Sequence, residues 1–195
     1  MKSIQFNFAK QLRYIFFITL LGIIACKQEK AKTYNETTSK REIEAPNINL
    51  QEAVISGNIE AVQQHIKAGT YLNERDAFSG ATPLITAITF GKQNIAKELV
   101  KAGADLSIKN NDGSTALHVA AFFCRIEEVK MLLDAGADKS VKNNFGANPR
   151  ETVIGPFEEI RPYYEMLQEQ LAPLGLNLDL IEIEKTRPVI AMMLQ

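Results

Sequence analysis

The chain has 195 residues, a formal net charge of −1, and 46% apolar and 23% charged residues. These values suit one soluble globular domain or two small ones, and the absence of a basic excess argues against a large phosphate-binding surface, which needs clustered Lys and Arg. Two cysteines and two histidines exclude a disulfide scaffold and a Cys₄ zinc site and leave little for a His-rich metal centre, so neither metal nor other cofactor is expected.

The first thirteen residues carry Lys2, Lys10 and Arg13 and no acid, and Tyr14–Ala25 (YIFFITLLGIIA) is an apolar run of 12. A spanning helix needs about 20 apolar residues, so this run is too short for a stable anchor. A basic segment, a short apolar core and a small residue before polar sequence fit an export signal over 1–25. Its end, Ile23-Ile24-Ala25-Cys26, resembles the lipobox of bacterial lipoproteins. The resemblance implies cleavage before Cys26, a diacylglyceryl group on its sulfur and acylation of the new amine. With Lys27 next, it implies the outer membrane ahead of the inner, the folded part lying in the periplasm or at the surface. Several acyl chains anchor a protein stably.

Residues 26–47 (CKQEKAKTYNETTSKREIEAPN) are polar and charged and read as a flexible tether. From Cys26 onward the balance is 19 basic against 23 acidic residues, net −4, which again disfavours nucleic acid. With Cys26 lipidated, Cys124 has no intramolecular partner, and no disulfide is expected.

A repeat begins near residue 48. Gly80, Gly113 and Gly146 are 33 apart; so are Leu84 and Leu117, Ala87 and Ala120, and Gly103 and Gly136. Leu50–Gly69, Ser79–Asn110 (SGATPLITAITFGKQNIAKELVKAGADLSIKN) and Asp112–Asn143 (DGSTALHVAAFFCRIEEVKMLLDAGADKSVKN) are three copies, and Phe145–Glu151 starts a fourth that drifts off pattern. Thr82 and Thr115 stand where a helix wants a side-chain N-cap, with Pro83 in the first turn. Gly69, Gly103 and Gly136 follow the second helices, where a left-handed residue is wanted. The 33-residue period and the motif TPLITA/TALHVA resemble the ankyrin repeat. The resemblance implies an all-α solenoid of three to four helix-turn-helix repeats with β-hairpin-like loops over 48–155. Cys124 departs from it, holding a place that Gly57 and Gly91 hold earlier, where a positive φ would strain it. Gln64 replaces an apolar residue, consistent with a solvent-facing first repeat.

Residues 156–195 are expected to cap the stack. Pro162–Leu171 reads as a helix with Pro at its start and Tyr163, Met166, Leu167 and Gln170 along one stripe. Leu174–Glu184 (LGLNLDLIEIE) alternates as a strand does, an extended tail that packs on the domain or covers its groove.

No catalytic site is expected. His118 takes the position of the family's structural histidine; no Ser or Cys pairs with a His and an acid, and HExxH, CxxC, P-loop and GxGxxG are absent. In ankyrin repeats, hairpin tips and the ends of the first helices line a concave face that holds protein partners. The matching positions are Phe78, Ser79 and Ala81, then Asn111, Asp112 and Ser114, then Asn144, Phe145 and Ala147 on the tips, with Thr89, Phe90, Phe122 and Phe123 on the helix ends. The five Phe residues form a candidate aromatic stripe, which either anchors a partner or packs on itself or under 174–183. The sequence thus points to a monomeric, non-enzymatic module that binds a protein partner, with nucleic acid excluded. The alternatives are an immunity or inhibitor protein against a periplasmic toxin or enzyme, and a redox-linked helper using Cys124 or His118.

Overall fold

The computed structural model describes residues 44–195; the export signal, Cys26 and the tether up to residue 43 lie outside the described residues. Three pairs of short helices follow in order: α1 (Leu50–Ser56) with α2 (Ile59–Lys67), α3 (Pro83–Thr89) with α4 (Gln93–Lys101), and α5 (Ala116–Phe122) with α6 (Ile126–Asp134). A longer pair closes the chain: α7 (Phe157–Leu171) and α8 (Leu180–Met193), joined by a 3₁₀ turn at Ala172–Leu174. Helices α1, α3 and α5 stack as one layer, and α2, α4, α6 and α8 as a second. No strand occurs among the described residues.

Helices of seven or nine residues are too short to persist alone in water, so burial and capping hold them. Asn49 and Asn58 accept hydrogen bonds from the backbone N–H of Glu52 and Ala61, at 2.8 and 3.0 Å, and Thr82 accepts from Ile85. Val54, Val62, Leu84, Ile88, Leu99, Leu117, Val129 and Leu132 are buried in one continuous core. Alanines at the helix contacts (Ala53, Ala87, Ala96, Ala120) have no exposed surface, and their small side chains let the backbones approach. Gln64 is exposed, as its place in the first repeat requires, and its amide donates to the Glu44 carbonyl. His65 is buried and bridges Thr70 Oγ1 and the Ile48 carbonyl, fixing residues 44–49 against α2.

The C-terminal forty residues correct the sequence reading. The cap helix starts at Phe157, five residues before Pro162, which lies inside it. Pro162 cannot donate to the carbonyl four residues back, yet Phe157 and Tyr164 bury on one side of the helix and carry it through. The buried stripe is Phe157, Ile160, Tyr164 and Leu167; Tyr163 and Met166 face outward. The predicted extended tail is helix α8. Asp179 caps it, accepting from Ile181 and Glu182, and Ile183, Arg187, Ile190 and Leu194 bury at helical spacing. The fourth repeat has no first helix: residues 148–155 are turns.

Candidate functional site

The hairpin tips are built around one acceptor each. Asp76 accepts from the backbone of Phe78, Ser79 and Ala81 and from the Ser79 hydroxyl. Those bonds hold its carboxyl below the usual range against the opposing effect of burial, the largest single influence. Asn110 takes the same role for Asp112 and Ser114, and Asn143 for Phe145 and Ala147. The tips are then joined to one another. Asn111 N–H donates to the Ser79 carbonyl and Asn144 N–H to that of Asp112, each at 2.9 Å. The side-chain amides repeat the step: Asn111 Nδ2 donates to Phe78 O and Asn144 Nδ2 to Asn111 O.

This ladder changes the expected roles. Asn111, Asn144 and Ser79, expected to read a partner, also shape the tips through their side-chain hydrogen bonds. Ala81 is buried beneath its tip and offers nothing to a partner. Ser114 is half-buried and Thr89 returns its hydroxyl to the Ile85 carbonyl. Ser79, Asn111 and Asn144 stay exposed while making these bonds; the exposed tip side chains without a hydrogen bond are Phe78, 95% exposed, Phe145, 76% exposed, and the Asp112 carboxylate.

The five phenylalanines divide. Phe90 is half-buried and Phe123 is 7% exposed, although the two are 33 residues apart. Phe122 stacks on Tyr164 with ring centroids 4.4 Å apart and meets Phe123 and Tyr163 edge-on at 5.0 and 5.8 Å. The Tyr164 hydroxyl donates to the Phe122 carbonyl. The cap helix α7 thus covers the third repeat's aromatic pair, where the sequence allowed only residues 174–183 as a cover. Phe123 is packing, and the exposed aromatic ridge runs along the tips. Sequence spacing missed Tyr163 and Tyr164 as members of this face, because nothing in the repeat period reaches them.

Neither candidate for chemistry is set up for it. His118 Nδ1 lies 3.2 Å from the Thr115 backbone N–H and 2.9 Å from its hydroxyl, so it accepts, and Nε2 donates to the Ala147 carbonyl at 3.1 Å. The imidazole joins the third repeat to the next tip. Burial holds its pKa below the ordinary value, opposed by the Ala147 bond and assisted by Lys109. A protonated ring cannot accept from Thr115. The unfolded chain, with a histidine near 6.5, binds the extra proton first as pH falls, so this stabilisation is complete above about pH 6.5 and is lost below it. The urea midpoint is therefore expected to drop between pH 7.5 and 5.5, and to drop less in His118→Gln. The buried Glu128, whose carboxyl burial holds up, works in the opposite direction in both proteins. Equal drops would place the acid sensitivity elsewhere.

Cys124 is the one non-glycine residue at positive φ among the described residues, at 53°. Glycines at its counterparts lie beneath the next repeat's basic side chains: Lys92 over Gly57 and Arg125 over Gly91. At the third position the cap follows instead, and the thiol faces the Ile183 carbonyl at 3.6 Å. Burial pushes the thiol up to about 11 despite nearby Arg187 and Arg125, so little thiolate is present at neutral pH. That is the state of a packed thiol, and it speaks against a redox helper. Among the described residues no group of three or more His, Cys, Asp or Glu side chains is placed to hold a metal.

Residues 50–143 match the family model for ankyrin repeats in three copies. Two curated relatives give the same picture: protein phosphatase 1 regulatory subunit 27 of Homo sapiens, 44% identical over 64 residues, and ankyrin repeat-containing protein P1E11.10 of Schizosaccharomyces pombe, 33% identical over 67. The alignments cover 33% and 34% of this chain and 41% and 32% of those proteins, so the chain spans less than half the length of the relatives it matches. The crystal structure of the ankyrin repeat domain of Bcl-3, of the IκB protein family, superposes with a TM-score of 0.51 at 31% identity, over 53% of this chain and 45% of that one. The stacked helix pairs are ankyrin repeats, and the fold is an ankyrin-repeat solenoid with a two-helix C-terminal cap.

Proposed function

We propose that this chain is a non-enzymatic protein-recognition module, held at the bacterial envelope by a lipid on Cys26, and that a protein partner docks on the face made by the hairpin tips and the ends of α3 and α5. One observation carries the reading: Phe78 and Phe145 stand 95% and 76% exposed on tips that the Asn111 and Asn144 side chains join into one ladder. Large aromatic side chains held on a rigid scaffold lose little entropy on binding and dominate interface energetics. The lipobox-like Ile23-Ile24-Ala25-Cys26 supports the anchor. The curated relative named as a phosphatase regulatory subunit puts a phosphatase among the partners to look for.

The test pairs wild type with Phe78→Ser/Phe145→Ser in a pull-down from solubilised envelope. Both rings lie on the surface, so the variant is expected to keep its circular dichroism and unfolding midpoint while losing a partner that wild type retains. Equal capture by both proteins would overturn the tip surface as the site. Labelling with radioactive palmitate, lost in Cys26→Ser, checks the anchor separately.

A further inference from the structure

The geometry points to a binding site for an ammonium or guanidinium group in the cavity between α4 and α6, with the Glu128 carboxylate as its counter-charge. The cavity lies in the layer of second helices and none of the tip residues lines it, so the inference stands independently of the recognition reading.

Register exposes an anomaly. Glu128 in α6 follows Ile95 in α4 by the 33-residue period, and Ile95 follows Ala61 in α2 by the 34-residue first step. Ala61 and Ile95 are apolar core residues. The third repeat puts a carboxylate at this position and buries it as deeply, at 4% exposed. Taking a carboxylate out of water without a counter-charge is costly. Apart from its own backbone N–H in the first turn of α6, Glu128 meets no hydrogen-bond donor and no ion-pair partner among the described residues. Arg125, three residues earlier, turns its guanidinium over Gly91 instead.

Glu128 faces a cavity of about 320 Å³, lined by Gln93, Asn94 and Lys97 of α4 and by Glu127, Glu128 and Met131 of α6. At about 30 Å³ per water that is room for about ten waters, or for an aminoalkyl or guanidino group with its stem. A bare metal ion needs far less, and no three His, Cys, Asp or Glu side chains among the described residues are placed to hold one. Two carboxylates against the Lys97 ammonium leave the lining one negative charge in excess. Lys97 is exposed and makes no ion pair with either among the described residues, so the buried charge is left to a cation from outside. Such a group gains a charge-assisted hydrogen bond at Glu128, the amide carbonyls of Gln93 and Asn94 for its remaining N–H groups, and the Met131 thioether against its methylenes. An anion would meet two carboxylates.

The experiment follows the Met131 methyl and the Asn94 side-chain amide of the full chain by NMR during addition of 1,4-diaminobutane, N-acetyl-lysine amide or N-acetyl-arginine amide. Both signals are expected to shift and saturate with a Kd on the order of 1 mM. Glu128→Gln, nearly isosteric, should weaken binding about tenfold or more, the loss of one hydrogen bond to a charged group. Glu128→Ile, which restores the residue type of Ile95, should abolish binding and keep the wild-type urea midpoint. Saturation by the diamine alone identifies a free amine as the ligand; saturation by a capped amino acid identifies a side chain of a protein partner. Unshifted signals, or equal affinity in wild type and Glu128→Gln, overturn the site. So does saturation seen only in Lys97→Met, which would make Lys97 the natural occupant. A midpoint lowered in both Glu128 variants would make the carboxylate a structural group and likewise overturn the assignment.

Discussion

Tyr164→Ala is expected to lower stability by about 3–5 kcal/mol, the usual cost of removing a large buried aromatic side chain. Tyr164 has no exposed surface; its ring stacks on Phe122 at 4.4 Å and leans on Phe157 at 5.8 Å. It also satisfies a backbone group that α5 leaves open: the carbonyl of Phe122, the helix's last residue, accepts the phenol. A helix end has orphan carbonyls, and a cap that supplies a donor ties itself to the repeat it covers. Tyr164→Phe keeps the ring and strands that carbonyl, which costs about 1–3 kcal/mol. Urea unfolding gives both values. Thiol labelling gives an independent one, since Cys124 is shielded by the Ile183 carbonyl of α8. Tyr164→Ala should open the cap locally and speed modification of Cys124 well beyond its effect in Tyr164→Phe. An unmoved midpoint and an equally slow thiol would show that the cap is held elsewhere, the leading alternative being Arg187, buried between the Gly155 carbonyl and the Phe157 ring.

The same region marks where sequence stops being informative. Within the repeats, every signal has a physical counterpart that recurs: Thr82 and Thr115 at helix starts, glycine after the second helices, apolar residues at helical spacing. In the cap the signals conflict. LGLNLDLIEIE alternates up to Leu180, where Ile181 breaks the period and a helix capped by Asp179 begins; Leu174 and Ile181 remain exposed. The buried face of α8 includes Thr186 and Arg187, while Val189 and Met192 face outward, so hydrophobicity does not trace the helix. Phe123 departs from its register partner for a related reason: it is 7% exposed, while Phe90 is half-buried. Its equivalence to Phe90 is real in register, but Phe90 is followed by another repeat and Phe123 by α7. The tip-to-tip bonds of Asn111 and Asn144 are not legible in the sequence, because an amide that reads a partner and an amide that joins two tips are the same residue type at the same position.

The tip ladder also sets the second large effect. Gly113→Ala should cost about 2–4 kcal/mol, from two sources that a control separates. Gly113 has φ of +73°, where any side chain is strained by about 1–2 kcal/mol. A Cβ there would also stand 2.8 Å from the backbone nitrogen of Asn144 and closer still to its side-chain oxygen. That nitrogen donates to Asp112 O and that side chain to Asn111 O, so the added methyl pushes apart the tips that the ladder joins, at about 1 kcal/mol for each bond lost. Gly136, at φ +84° with nothing within 4 Å of its Cβ position, carries the backbone strain alone. Gly136→Ala is therefore expected to lose only about 1–2 kcal/mol. The excess of Gly113→Ala over Gly136→Ala in urea unfolding measures the ladder. Gly113→Ala should also weaken partner capture at temperatures where the chain is still folded, because Phe145 and Asp112 are held in place by the strands of backbone that Asn144 connects. Equal losses in the two variants would mean that the tips stand independently, each held by its own Asp or Asn acceptor.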